Sequence, residues 1–211
     1  MMRKITTIVL SSALTANAWA GEPAPDPKTL QHELVKYLAK QGQLCLGKSE
    51  WPIDVSQQDF QENERDAVQL PVLEKLGLVT SKVAETQRLG IDDNALHSVA
   101  VKRYELTKEG LKSYVDKDNI ARGSGGGKAE HHKDLCAAKL TLDKVVRWEP
   151  AEVGHGTVFY TYHVTAVPWM KSADAQKVFP MIDKIIKGEG TMQLSQRMVL
   201  SKEGWTAVPG V

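Results

Sequence analysis

Cysteine is scarce: the 211 residues contain two, Cys45 and Cys136. With none ahead of position 45, the sequence argues against a lipoprotein anchor near the N-terminus. Excess charge of one sign is missing as well, with 27 Lys+Arg against 26 Asp+Glu. Such a balance gives no broad attraction to nucleic acid or anionic lipid. No G-x-S-x-G turn occurs, so no serine stands in a nucleophile elbow. The glycine-rich stretch 121–128 (ARGSGGGK) is not a phosphate loop. Arg122 and Ala129 stand where that motif needs a glycine and a Ser or Thr. By composition it reads as a flexible linker. Six histidines are present, but no pair has the tight spacing of a zinc site. His131 and His132 near Cys136, and His155 and His163 around a strand, read as solvated or structural. Met170, Met181, Met192 and Met198 read as packing residues rather than copper ligands. No metal or other cofactor is expected.

What is present begins with an address. Arg3 and Lys4 precede an apolar run from Ile5 to about Ala18, and Ala18-Trp19-Ala20 stands before Gly21. A basic start, a short apolar core and small residues at the cleavage positions make a secretory signal over residues 1–20. The run falls short of the roughly 20 residues that cross a bilayer. Without a twin arginine, Sec-type export to a Gram-negative periplasm is the expectation, with no stable membrane anchor. Removing residues 1–20 leaves 191 residues, with 25 basic against 26 acidic and a net charge of −1. An oxidising compartment then makes a Cys45–Cys136 disulfide the default pairing.

Asp26-Pro27 is a cap and first-turn pair, and Leu30, Leu34, Tyr37 and Leu38 recur at helical spacing, so a helix is predicted over 27–41. Pro52 marks a strand end or edge. Ser56 with Asp59 resembles a capping box, and a second helix is predicted over 64–76, restarted or kinked by Pro71 and stopped by Gly77. Thr107 is a predicted N-cap after an extended segment carrying Tyr104 and Leu106.

LPVLEKLGLVTSKV followed by VKRYELTKEGLKSY resembles the C-terminal half of a winged helix of the MarR or PadR type. Leu76, Gly77, Leu78 and Val79 match the helix end and the entry to the wing. Leu106, Thr107 and Gly110 match the "LT-x-x-G" that opens the next helix. The resemblance covers about residues 68–115 and implies a winged-helix-like shape. It does not carry DNA binding with it. ENERDAVQLPVLEKLG, in the reading position, holds four acidic and two basic residues, whereas a reading helix presents Arg, Lys, Asn or Gln.

The second half reads as β-rich. Cys136, Ala138, Leu140 and Leu142 alternate with polar residues, and Val158, Tyr160, Tyr162, Val164 and Ala166 form the clearest strand face. A helical region capped by Ser172 is split or restarted by Pro180 and ended by Gly188. Met192, Leu194, Met198 and Leu200 share one face of a final strand. The predicted class is α+β: a winged-helix-like region over 27–120, a linker over 121–128, and a small antiparallel sheet with a packed helix over 129–211. LTKEGL at 106–111 returns as LSKEGW at 200–205, and Leu44-Cys45 returns as Leu135-Cys136, at offsets of 94 and 91. Internal duplication and coincidence of capped strand ends both fit.

No motif names a reaction. Paired carboxylates such as Asp92-Asp93 and Glu62/Glu64 sit in polar contexts that read as surface. Trp51, Trp148, Trp169 and Trp205 lie at element ends, where aromatics close core edges or form interaction surfaces. The expectation is an exported, non-catalytic envelope protein that binds a protein partner, as an inhibitor, an immunity-type partner or an adaptor. The alternative is a periplasmic hydrolase whose site the fold assembles.

Overall fold

The structure is a computed structural model that describes residues 24–89, 95–119 and 130–208. The expected leader, its cleavage site at Gly21, the 121–128 linker and the Asp92-Asp93 pair lie outside the described residues. Helix α1 (Pro27–Gln41) starts where the sequence places it. The Asp26 carboxylate accepts from the backbone N–H groups of Lys28 and Thr29 at 3.0 and 3.1 Å. Leu30, Leu34 and Leu38 form its buried stripe. Gly42 ends it in a tight spot, since a Cβ there would meet the carbonyls of Leu38 and Leu140 at 2.4 and 2.5 Å. Strand β1 (Gln43–Cys45) follows.

Next come β2 (Ile53–Ser56), α2 (Gln57–Gln61), α3 (Arg65–Lys75), β3 (Val79–Leu89) and β4 (Leu96–Leu106). The expected capping box is formed, with Ser56 and Asp59 bonding reciprocally at the start of α2. Pro71 lies inside α3, which runs through it as one helix burying Ala67, Leu70 and Leu73. Gly77 turns the chain out of α3 at φ 76°. These strands form an antiparallel sheet in the order β2-β4-β3. The two halves of the sequence resemblance meet here. Thr107 Oγ1 donates to the Gly77 carbonyl at 2.7 Å and accepts from Gly110 N–H at 3.1 Å. Gly110 lies so close to the Leu78 carbonyl that a Cβ would approach it to 2.0 Å. "GLV" and "LT-x-x-G" are therefore two sides of one contact.

Helix α4 (Lys108–Leu111) leads to β5 (Tyr114–Asn119), and then to β6 (Glu130–Pro150) and β7 (His155–Ala166). A 3₁₀ turn over Pro168–Lys171 precedes α5 (Ala173–Val178) and α6 (Pro180–Lys187), and Pro180 begins α6. Strands β8 (Leu194–Ser201) and β9 (Gly204–Ala207) complete the described chain. The second sheet is antiparallel, in the order β1-β6-β7-β8-β9 with β5 also on β6, and it is curled. Fold class is thus mixed α and β, as expected. The repeated hexapeptides differ in structure: LTKEGL forms a capped helical turn, whereas LSKEGW forms the tight β8–β9 hairpin. Sequence alone could not separate them, because a Gly after Lys-Glu suits both a helical turn and a hairpin.

Among the described residues two cores hold the molecule together, and each draws on both sides of positions 121–128. The first joins Leu46, Val55, Leu70, Leu73, Leu78 and Tyr104 to Leu135, Ala137, Met170, Ala175 and Phe179. The second sets α1, through Leu30, Leu34 and Leu38, on Leu140, Val158, Tyr160, Tyr162 and Met198 of the curled sheet. Cys45 and Cys136 face each other across β1 and β6 and form the expected disulfide. Among the described residues, no helix is long and apolar enough to cross a membrane.

Candidate functional site at the mouth of the curled sheet

Curling brings together residues that a flat sheet would keep apart. Strand β6 is three places from β9, about 14 Å at the usual strand spacing. Yet Trp148 of β6 and Trp205 of β9 meet edge to face, with ring centroids 5.1 Å apart at 78°. Both project to the face that carries α1 and close the second core at one end. Trp148 is seated by Gly156, where a Cβ would lie 2.2 Å from the indole. Only glycine leaves that seat free.

The β6–β7 turn supplies the rest. Ala151 N–H donates to the His155 carbonyl at 3.0 Å, His155 N–H donates to the Glu152 carbonyl at 2.9 Å, and Gly154 takes φ 74°. Leu200 N–H ties the turn to β8 through the Gly154 carbonyl at 2.8 Å. The result is a mouth of about 400 Å³ lined by Trp148, Pro150, Glu152, Val153, His155 and Trp205, with Ala24 at the entrance to α1. That volume lies within the range of ligand pockets. Val153 is 82% exposed on its lip. The Glu152 carboxylate lies 3.8 Å from Nδ1 of His155, whose N–H points to the Val153 carbonyl at 3.0 Å. Apolar walls with a charged lip suit the capture of another molecule's side chain.

The four tryptophans expected at element ends divide evenly. Trp51 donates to the Lys48 carbonyl at 3.2 Å and packs at the edge of the first core. Trp169 donates to Ser113 Oγ at 3.3 Å and stands edge-on to Phe179. Trp148 and Trp205 are the pair that shapes the mouth. Cys45 and Cys136 are bonded to each other, which leaves neither as a thiolate. His163 lies on the sheet face away from α1, 3.5 Å from Asp143 and 3.4 Å from Glu189. Among the described residues no cluster of His, Cys, Asp and Glu could hold a metal ion.

Sequence reasoning passed over Glu152, Val153 and Gly156. A glycine opening a strand was the available signal, since it often marks close approach of another group. It also passed over Lys48, which is 2% exposed. Its ammonium pairs with Asp66, while its backbone N–H and that of Gly47 bond the carboxylate of buried Asp134 at 2.7 and 3.2 Å. Burial pushes the Lys48 pKa down, opposed by the bond to Asp66.

No family model, curated protein or solved structure matches the chain.

The described cations of α3, β3 and β4 are engaged within the protein. Arg103 and Asp54 form a two-pronged pair at 2.7 and 2.6 Å, and Arg88 grips Asp59 at 3.1 and 2.8 Å. Lys82 pairs with Glu105 at 2.7 Å, Lys102 with Glu74 at 2.8 Å, and Lys75 with Asp174 at 2.5 Å. Arg65 donates to the Leu46 carbonyl. Each described cation of α3, β3 and β4 thus has a partner within the protein.

Proposed function

We propose that this is an exported, periplasmic, non-catalytic protein that binds another protein of the cell envelope, as an inhibitor, immunity-type partner or adaptor. The observation that carries the reading is the mouth, where Val153 stands 82% exposed beside two half-buried tryptophans. An apolar lip of that kind, with aromatic walls and a polar rim, is the composition of a protein contact. The Cys45–Cys136 disulfide is compatible with an oxidising compartment. A winged-helix-like shape over about residues 68–115 is part of the proposal, and the β3–β4 hairpin after α3 and the Thr107–Gly77 contact speak for it. Its internal ion pairs argue against nucleic acid, because phosphates would compete with carboxylates that stay beside them. The hydrolase alternative finds less support. Among the described residues the mouth is lined by no serine, threonine, cysteine or lysine, and its Glu152–His155 pair sits at the rim.

Affinity capture from periplasmic extract tests the reading. The wild-type protein is expected to retain a discrete partner. Val83→Asp, at an 89% exposed position on β3, should retain it too, and Val153→Asp should lose it. Capture that is indifferent to Val153→Asp would overturn the assignment of the mouth.

A further inference from the structure

We propose that the mouth seats a cation with an apolar stem: the guanidinium or ammonium of an Arg or Lys side chain presented by the protein partner. This deepens the preceding reading and rests on it for the source of the cation. Two indole rings line the mouth, and tryptophan is the side chain that attracts cations best. Among the described residues, the ionisable groups lining it are one carboxylate, Glu152, and one imidazole, His155, with no Lys or Arg. Nδ1 of His155 faces the Val153 carbonyl at 3.0 Å, so that whenever the ring is neutral Nε2 is left as an acceptor. Both groups therefore accept hydrogen bonds and suit a donor-bearing, positively charged guest.

Glu152 has little to do inside the protein. It is highly exposed, and its described partner is His155 at 3.8 Å. Its backbone is nonetheless fixed by the turn hydrogen bonds and by Gly154. A solvent-facing carboxylate carried on a fixed turn that lines the same mouth as the two indoles is placed to meet a cation. The adjacent β8–β9 turn carries one charge of each sign, Lys202 and Glu203, and does not reverse the field. A long-stemmed basic side chain also uses the apolar wall, since its methylenes can lie on Pro150 and Val153 while its head reaches Glu152. An anion would meet Glu152 unpaired, and a plain apolar anchor would gain nothing from it.

The test is a titration of the full chain with acetyl-Gly-Gly-X-Gly-Gly-amide peptides, where X is Arg, Lys, citrulline or norleucine, read from the indole N–H NMR signals of Trp148 and Trp205. Arg and Lys peptides are expected to shift both signals saturably, with Kd of about 1–10 mM for a single side chain. Citrulline and norleucine should bind roughly five- to tenfold more weakly. Glu152→Gln should weaken the Arg peptide by a similar factor and leave the melting temperature unchanged. Equal binding of norleucine and Arg, no effect of Glu152→Gln, or no saturable shift with any peptide would overturn the seat. Phosphatidylcholine vesicles that shift these signals where Arg peptides do not would overturn it in favour of a lipid headgroup. Partner capture that survives Glu152→Gln would leave the protein-binding reading standing and remove the cation seat.

Discussion

Lys48 and Gly156 show how single residues set local structure without taking part in recognition. The Lys48 side chain is 1% exposed, while Asp66 keeps 43% of its side chain in water. The two ends of this pair are therefore unequal. Removing the lysine leaves a carboxylate that water can solvate, whereas removing Asp66 strands a buried ammonium. Lys48→Met is expected to change stability by less than about 1 kcal/mol, and Asp66→Ala to cost about 2–3 kcal/mol, by urea unfolding. At Gly156 the constraint is steric. Gly156→Ala drives a methyl into Trp148, at an expected cost of about 1–3 kcal/mol, with a red shift of tryptophan emission. The caps were legible in the sequence. Asp26, Ser56 and Thr107 each satisfy backbone groups within three residues, so local chemistry identifies them. The Trp148–Trp205 pair was not legible, because nothing local to either residue records that the sheet curls.

Among the elements, the β3–β4 hairpin depends most on charge. At its far end, Arg88 reaches back to Asp59, the same carboxylate that closes the capping box of α2. The Arg88 hydrogen bonds hold the Asp59 pKa well below the usual carboxylate range, and those of Arg103 lower Asp54 in the same sense. A depressed folded-state pKa means that the unfolded chain takes up the proton first as pH falls. The stabilisation is therefore present above the ordinary value of about 4 and is lost as pH drops from there toward the folded value. Wild-type protein should lose stability between pH 5 and pH 3. Arg88→Ala should begin about 0.5–1 kcal/mol less stable at pH 7 and show a shallower loss over that interval, since the pair is partly exposed. Parallel acid limbs in the two proteins would count against this pair. The hairpin and its neighbours were largely readable from the sequence, since Gly77, Thr107 and Gly110 punctuate one contact. The final hairpin was not, because LSKEGW turns as a strand pair where LTKEGL turns as a helix.

At the scale of the whole molecule, the segments before and after positions 121–128 build both cores together. Helix α1 fills the curled sheet, while α5 and α6 pack against α3 and its neighbours. The Cys45–Cys136 bridge ties these halves together across a sequence separation of 91. In the chain-entropy model a loop of that length is worth up to about 4–5 kcal/mol. Reduction is expected to lower the melting temperature substantially, in a single transition because each core needs both halves. Two separated transitions would show that the cores unfold independently. The pairing was legible from a cysteine count and the expected compartment. The interleaving was not, since helix and strand periodicities give each element a buried face without saying what it meets.

The most direct measurement places a photo-reactive amino acid at position 153, on the lip of the mouth, and at position 83 on β3 as a control. Illumination of protein exported to the periplasm should give one discrete protein adduct from position 153 and none from position 83. An adduct from position 83 alone, or from neither position, would contradict the mouth as the surface through which this protein meets its partner.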